Sequence, residues 1–259
     1  MKYLNSSFLR LLLSAALSFV FLGCTQEKPF PPDSTTVDVV IKIKHRASGQ
    51  SLGEGISFLD SAGQQITFSR FQYYFSNIRL NRESSGTVFR EPASYHLVKA
   101  LNSPDGFQIQ LKGVPKGVYN ELVFGIGVDS ATNRGSSSNL GDLGQGNGMF
   151  WSWSDEYKFW VMEGNYQASG IQGNFLFHIA GNACYKEIRI PLVESASGNN
   201  SISLVSNRTI VLEANVLDFF GRPNPIDLKL TNDVSSIAAG ADKIADNYAS
   251  GFFTLSGFE

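Results

Sequence analysis

Three histidines, His45, His96 and His178, and two cysteines, Cys24 and Cys184, are the soft or borderline donors in this chain of 259 residues. A copper or zinc site needs several nitrogen or sulfur donors held together. His178 follows Phe177 in a run that reads as a central strand. From its residues alone it reads first as a buried histidine satisfied by a backbone carbonyl, and second as a metal ligand. His45 and His96 fall at strand ends near no other motif, and neither is expected to complete a site. Cys184 reads first as a small buried hydrophobe and second as a lone soft ligand for copper.

Oxygen donors and catalytic patterns offer less. Asp129, Asn133 and Asp142 stand in one long Ser/Asn/Gly loop, Asp129–Gly148, and could ligate calcium, although no EF-hand spacing is present. There is no Gly-x-Ser-x-Gly elbow, no His-Glu-x-x-His, no phosphate loop and no dinucleotide fingerprint. The adjacent carboxylates Asp155 and Glu156 would face opposite ways in a strand, so they read as a solvated turn rather than an acid–base pair. An enzyme is not expected.

The stretch that must position any site is Gly146–Gly164, GNGMFWSWSDEYKFWVMEG, which holds all three tryptophans, Trp151, Trp153 and Trp160. At period two, Trp151 and Trp153 share one face, with Phe150, Ser152 and Ser154 on the other. Tyr157–Met162 is again aromatic and β-branched. A hairpin-like pair of strands, or one long bent strand, is expected, with its rings in a sheet core.

This stretch, followed by Asn174-Phe175-Leu176-Phe177-His178-Ile179-Ala180-Gly181, resembles the MbnP-like domain, a family of bacterial periplasmic and lipoprotein β-sandwiches named for a methanobactin-associated copper protein. Phe71-Gln72-Tyr73-Tyr74-Phe75-Ser76-Asn77-Ile78-Arg79-Leu80 and Gly125-Ile126-Gly127-Val128-Asp129 match as well, in the family's order. The resemblance covers roughly Thr36 to the C-terminus. It implies that His178 stands where copper-binding members carry a ligand histidine. It also implies that a second ligand histidine belongs at the place of Ser76, and that a nearby tryptophan is oxidised to kynurenine. Here the residue two before Ser76 is Tyr74, not tryptophan. A hydroxyl is a poor Cu(I) ligand, so copper affinity is expected to be weakened. Tyr74 and Ser76, with Trp151 and Trp153, are expected to line a pocket beside His178. The alternative is a sandwich without metal, whose exposed rings and long loop hold a partner protein or a glycan.

The N-terminus sets the compartment. Lys2 and Arg10 flank an apolar run, Leu11–Leu22, short for a transmembrane span and apt for a signal segment. It ends in Gly23-Cys24, a lipobox pattern, so residues 1–23 are expected to be removed and Cys24 acylated. That makes the mature protein membrane-anchored, at the periplasmic side or the cell surface, with the outer membrane expected. Thr25–Ser34 is a Pro-rich tether. The formal charge of −2 becomes about −4 once Lys2 and Arg10 are gone, and no basic footprint for nucleic acid remains.

From residue 36 onward the pattern is short strands and turns, with no repeat or domain break. Val37, Val39, Ile41 and Ile43 alternate with polar residues. Gln65–Phe68, Arg70–Arg82, Ile171–Ile179, Tyr185–Val193 and Thr209–Phe220 read as strands. Only Asp233–Tyr248 carries a helical stripe, with Asp233 and Ser235 as capping candidates. The expected fold is one all-β, antiparallel sandwich with a C-terminal α-helix.

Overall fold

The computed structural model describes residues 35–82, 88–134, 141–152, 154, 156–194, 200–234 and 240–259. The signal segment, Cys24, the tether, Trp153 and Asp155 lie outside the described residues. In chain order the strands are β1 (Thr36–Ala47), β2 (Gln50–Ser51), β3 (Ser57–Leu59), β4 (Gln65–Asn81), β5 (Val88–Arg90) and β6 (Tyr95–Lys99). Then come β7 (Phe107–Pro115), β8 (Gly117–Tyr119), β9 (Glu121–Ile126), the one-turn helix α1 (Ser130–Asn133), β10 (Phe150–Trp151), β11 (Glu156–Ala168) and β12 (Ile171–Ala180). The remainder is β13 (Lys186–Pro191), β14 (Ile202–Leu204), β15 (Arg208–Asn215), α2 (Asp218–Gly221), β16 (Asp233–Val234), α3 (Ala241–Ala249) and β17 (Phe253–Phe258).

Two principal sheets carry the fold. The smaller runs β17-β15-β1-β2, with β7 also on β1. The larger runs β13-β9-β4-β11-β12-β16, with β3, β5 and β6 on β4 and β10 on β11. A separate ladder joins β8 and β14. The all-β expectation is met, with 55% strand against 12% helix. Most pairings are antiparallel, but β1–β15 and β12–β16 are parallel.

The sequence pattern explains β1 directly. Its alternate residues from Val37 to Ala47 are buried, because a half-covered sheet needs apolar groups on one face only. The facing sheet meets it with rings. Phe253 of β17 lies edge-on to Tyr73 and Phe124, at centroid distances of 5.9 and 5.3 Å. Trp160 stacks on Tyr73, Phe219 and Tyr248 at 5.0, 5.3 and 4.9 Å, and so ties β11 and β4 to both late helices.

Several segments differ from the sequence expectation. The two strands foreseen at Gln65–Phe68 and Arg70–Arg82 are one 17-residue strand, β4, with its register against β11 slipping between Phe68 and Arg70. At Asn77 the backbone is left-handed (φ 53°), and beyond it Ile78 and Leu80 are the buried positions. Thr209–Phe220 does not run as one strand. The chain turns into α2 so that Phe219 and Phe220 reach the core rings. The helix starts at Ala241, after Gly240 at φ 102°, a conformation that cannot extend a helix. Asp233 lies before that start and pairs with Leu176 in β16. Ser235 lies outside the described residues.

Candidate functional site

The tryptophan stretch folds as a hairpin. Phe150 pairs with Tyr157 and Trp151 with Glu156, and β11 then continues as the centre of the large sheet. Trp160 faces the core and is fully buried, so Val161, itself buried, and the half-buried Glu163 fall on the opposite face of the strand. In β12, Phe175, Phe177 and Ile179 are buried and His178 between them is turned outward. Register then brings distant residues together. Val161 is paired with both His178 and Gln72, and Glu163 with both Leu176 and Arg70.

The result is a compact polar cluster. His178 Nε2 lies 2.7 Å from Glu163 Oε1, and Arg70 Nη1 lies 3.2 Å from the same oxygen. Lys158 Nζ donates to the Gly148 carbonyl at 2.9 Å, and Arg70 Nη2 approaches that carbonyl at 3.4 Å. The ammonium of Lys158 sits 5.6 Å from the centre of the Trp151 ring, and the His178 ring 6.4 Å from it. Burial lowers the pKa of His178, with Lys158 and Arg70 acting the same way and Glu163 opposing them. Burial likewise lowers the pKa of Lys158. His178 is thus held neutral. With Nε2–H given to Glu163, Nδ1 keeps the free lone pair, the pairing that commonly orients a ligating histidine.

The loop before β10 covers the neighbouring part of this face. Tyr74, fully buried, accepts a hydrogen bond from Asn147 Nδ2 at 3.1 Å and meets Tyr157 edge-on. Tyr157 donates to the Leu143 carbonyl at 2.9 Å. Tyr74 and Trp151 therefore both lie at this cover. Trp153 is outside the described residues. Ser76 is fully buried and donates to the Gly127 carbonyl at 2.7 Å. Gln72 shares a rung with His178, so Ser76 stands four residues further along and two strands over. That is about 13 Å along the strands and about 10 Å across them. No single metal ion reaches both.

The other donors are dispersed. His45 is not remote from the motifs, as its place at a strand end suggested. It lies in the core on the buried face of β1, with Nε2 2.9 Å from the Tyr73 hydroxyl and its ring edge-on to Phe71. Its depth there drives its pKa down to about 3. His96 is bonded to Glu91 at 2.8 Å. Burial pushes the Cys184 thiol up to about 11, which disfavours the thiolate a metal requires. Asp129 caps α1 and accepts from Asn77 and the Tyr95 hydroxyl. Asn133 accepts from Tyr157 N, and Asp142 from Leu97 N. These three calcium candidates are spent on separate internal donors. Among the described residues no group of three His, Cys, Asp or Glu side chains converges on a metal position.

Two further expectations are corrected. Glu156 is not on a solvated turn. It is 2% exposed and takes hydrogen bonds from the Arg134 guanidinium at 2.8 and 2.9 Å. Of the described tryptophans neither forms an exposed platform, since Trp151 is 9% exposed and Trp160 not at all. Glu163, Arg70 and Lys158 were not singled out by sequence. The signal was there only as opposite charges in two apolar strands, and strand pairing was needed to join them.

The match that decides the family spans most of the fold just described: the MbnP family model aligns with residues 36–238. The chain belongs to the MbnP family. A solved structure similar to it, MbnP from Methylosinus trichosporium, superposes with a TM-score of 0.49 at 14% identity, over 73% of this chain and 79% of that one. No curated protein matches. Among the described residues of this MbnP-family chain, no three His, Cys, Asp or Glu side chains converge to hold a metal, and Ser76 is wholly buried on β4.

Proposed function

We propose that this protein is a lipid-anchored, non-catalytic binding protein of the MbnP family, carried at the periplasmic side of a membrane or on the cell surface, outer membrane included. Its copper affinity is reduced to what one imidazole, His178, can supply. The observation that carries this reading is the His178–Glu163 pair. Its 2.7 Å contact orients the ring as a ligand would be oriented, yet among the described residues no group of three His, Cys, Asp or Glu side chains gathers around it. The lipobox ending in Gly23-Cys24 supports the anchor, and the absence of catalytic motifs supports a binding role.

The test is direct. The chain is loaded with Cu(I) and Cu(II), and metal per chain is measured with and without His178→Ala. Weak, substoichiometric copper that disappears in the variant supports the reading, as does the unmodified intact mass of all three tryptophans. Tight stoichiometric copper would sink it. Palmitate labelling and membrane fractionation of Cys24→Ala test the anchor separately.

A further inference from the structure

Beyond the His178 cluster, the same outer sheet face continues toward the β11–β12 turn, where its chemistry changes. The pairing register places Ser57, Thr67, Asn165 and Asn174 in one rung across β3, β4, β11 and β12. Gln65, Gln167 and Gln172 form the next rung across β4, β11 and β12, with Leu59 beside Gln65. These two rungs line an open cleft of about 540 Å³. Among the described residues no charged side chain lines it. Asn165, Gln167, Gln172, Asn174 and Gln65 are all exposed, and each points away from the core.

We propose that this cleft binds a neutral oligosaccharide laid across the four strands. Each primary amide offers two donors and a carbonyl acceptor, so five of them present a dense, mixed array. A sugar chain carries donors and acceptors on every hydroxyl and no charge. It can exchange water for amides without stripping a charged group. A phosphate or uronate would find no cation on this surface, and a metal ion no carboxylate. Exposed sheet faces ordinarily carry Lys and Glu for solubility, and a four-strand face without them marks a different use. Leu59, 62% exposed at the rim, supplies an apolar patch for the C–H face of a sugar ring. Four strands span about 14 Å, room for a short oligosaccharide rather than a single ring.

The proposal is independent of copper, and its test separates the two. The full-length chain in detergent is titrated calorimetrically with cellohexaose, mannohexaose, xylohexaose and a polygalacturonate fragment. Binding of at least one neutral hexaose is expected, with the polygalacturonate fragment inert. Asn165→Ala/Gln167→Ala should weaken it at least tenfold with an unchanged melting temperature, and His178→Ala should leave it unaltered. Should the double variant lose its fold, the single exposed change Gln172→Ala carries the test with a severalfold loss. No binding of any neutral hexaose at millimolar concentration overturns the proposal. So does equal binding of the acidic fragment, affinity that survives the amide substitutions, or a face that proves to join two copies of the chain.

Discussion

Glu163 Oε1 is shared between His178 Nε2 at 2.7 Å and Arg70 Nη1 at 3.2 Å, so one carboxylate oxygen on the central strand binds the strands on either side of it. Lys158 is nearby as a further cation. Among the described residues of the cluster, Glu163 is the carboxylate set against Arg70, Lys158 and the His178 ring. Replacing it with the isosteric amide, Glu163→Gln, removes a contribution that raises the His178 pKa. The histidine midpoint, followed by NMR, should move further below its ordinary value. A midpoint that rises or stays put would show that Glu163 does not govern this ring.

Ser76 tests whether a second imidazole on β4 can join His178. Its side chain is wholly buried and satisfied by the Gly127 carbonyl. Ser76→His must force a large polar ring into that space, at a cost of about 2–4 kcal/mol. Urea denaturation should report that loss, and copper binding should not tighten. A stable variant with tight copper would mean that the two positions do approach each other.

His45 makes stability depend on acid. Its folded pKa, about 3, is depressed below the ordinary 6.5 by burial. The unfolded chain therefore binds the proton more readily, and stability rises with pH between those values. The contribution is complete above about pH 6.5 and is lost as pH falls toward 3. Between pH 7 and pH 4 the loss assigned to this ring is roughly 3 kcal/mol. His45→Gln keeps a polar partner for the Tyr73 hydroxyl but cannot titrate. The difference between the two acid unfolding curves should show the effect, and coincident slopes would remove it.

Gly164 closes the tryptophan stretch at a point of close approach. A methyl there would lie 2.0 Å from the Thr67 carbonyl oxygen and 2.7 Å from the Phe175 ring. Gly164→Ala should cost about 2 kcal/mol or more, since backbone on one side and a core ring on the other cannot both give way. Thermal unfolding measures it.

Cys184 should be inert in the folded state. It is 3% exposed and its thiol is raised to about 11. At pH 8 a thiol reagent should label it only on unfolding. Rapid labelling of native protein would place the thiol nearer the surface.

Much of this arrangement could be read from residue order. The β1 alternation from Val37 to Ile43 gave its buried face, and the words around Trp151, His178 and Tyr74 gave the family. The outward turn of His178 also follows from Phe177 and Ile179 being apolar neighbours in one strand. The limits appeared where local pattern conflicts with packing. Asp233 carries a capping signal but pairs with Leu176 instead, and the helix waits for Gly240. Glu156 looks like a turn carboxylate but is buried against Arg134.

The sequence by itself determined which side chains face together wherever a strand runs unbroken, because a period of two is a local property of the backbone, whereas the left-handed Asn77 resets it within β4. It also determined the family and the donors on offer. Only the tertiary structure decided that His178 meets Glu163 and Arg70 rather than Ser76, and that seven uncharged polar residues from four strands form one surface. Those outcomes depend on register between segments distant in the chain; Arg70 and Glu163, for example, are 93 residues apart. A shift of one residue in that pairing would send every one of these side chains to the opposite face.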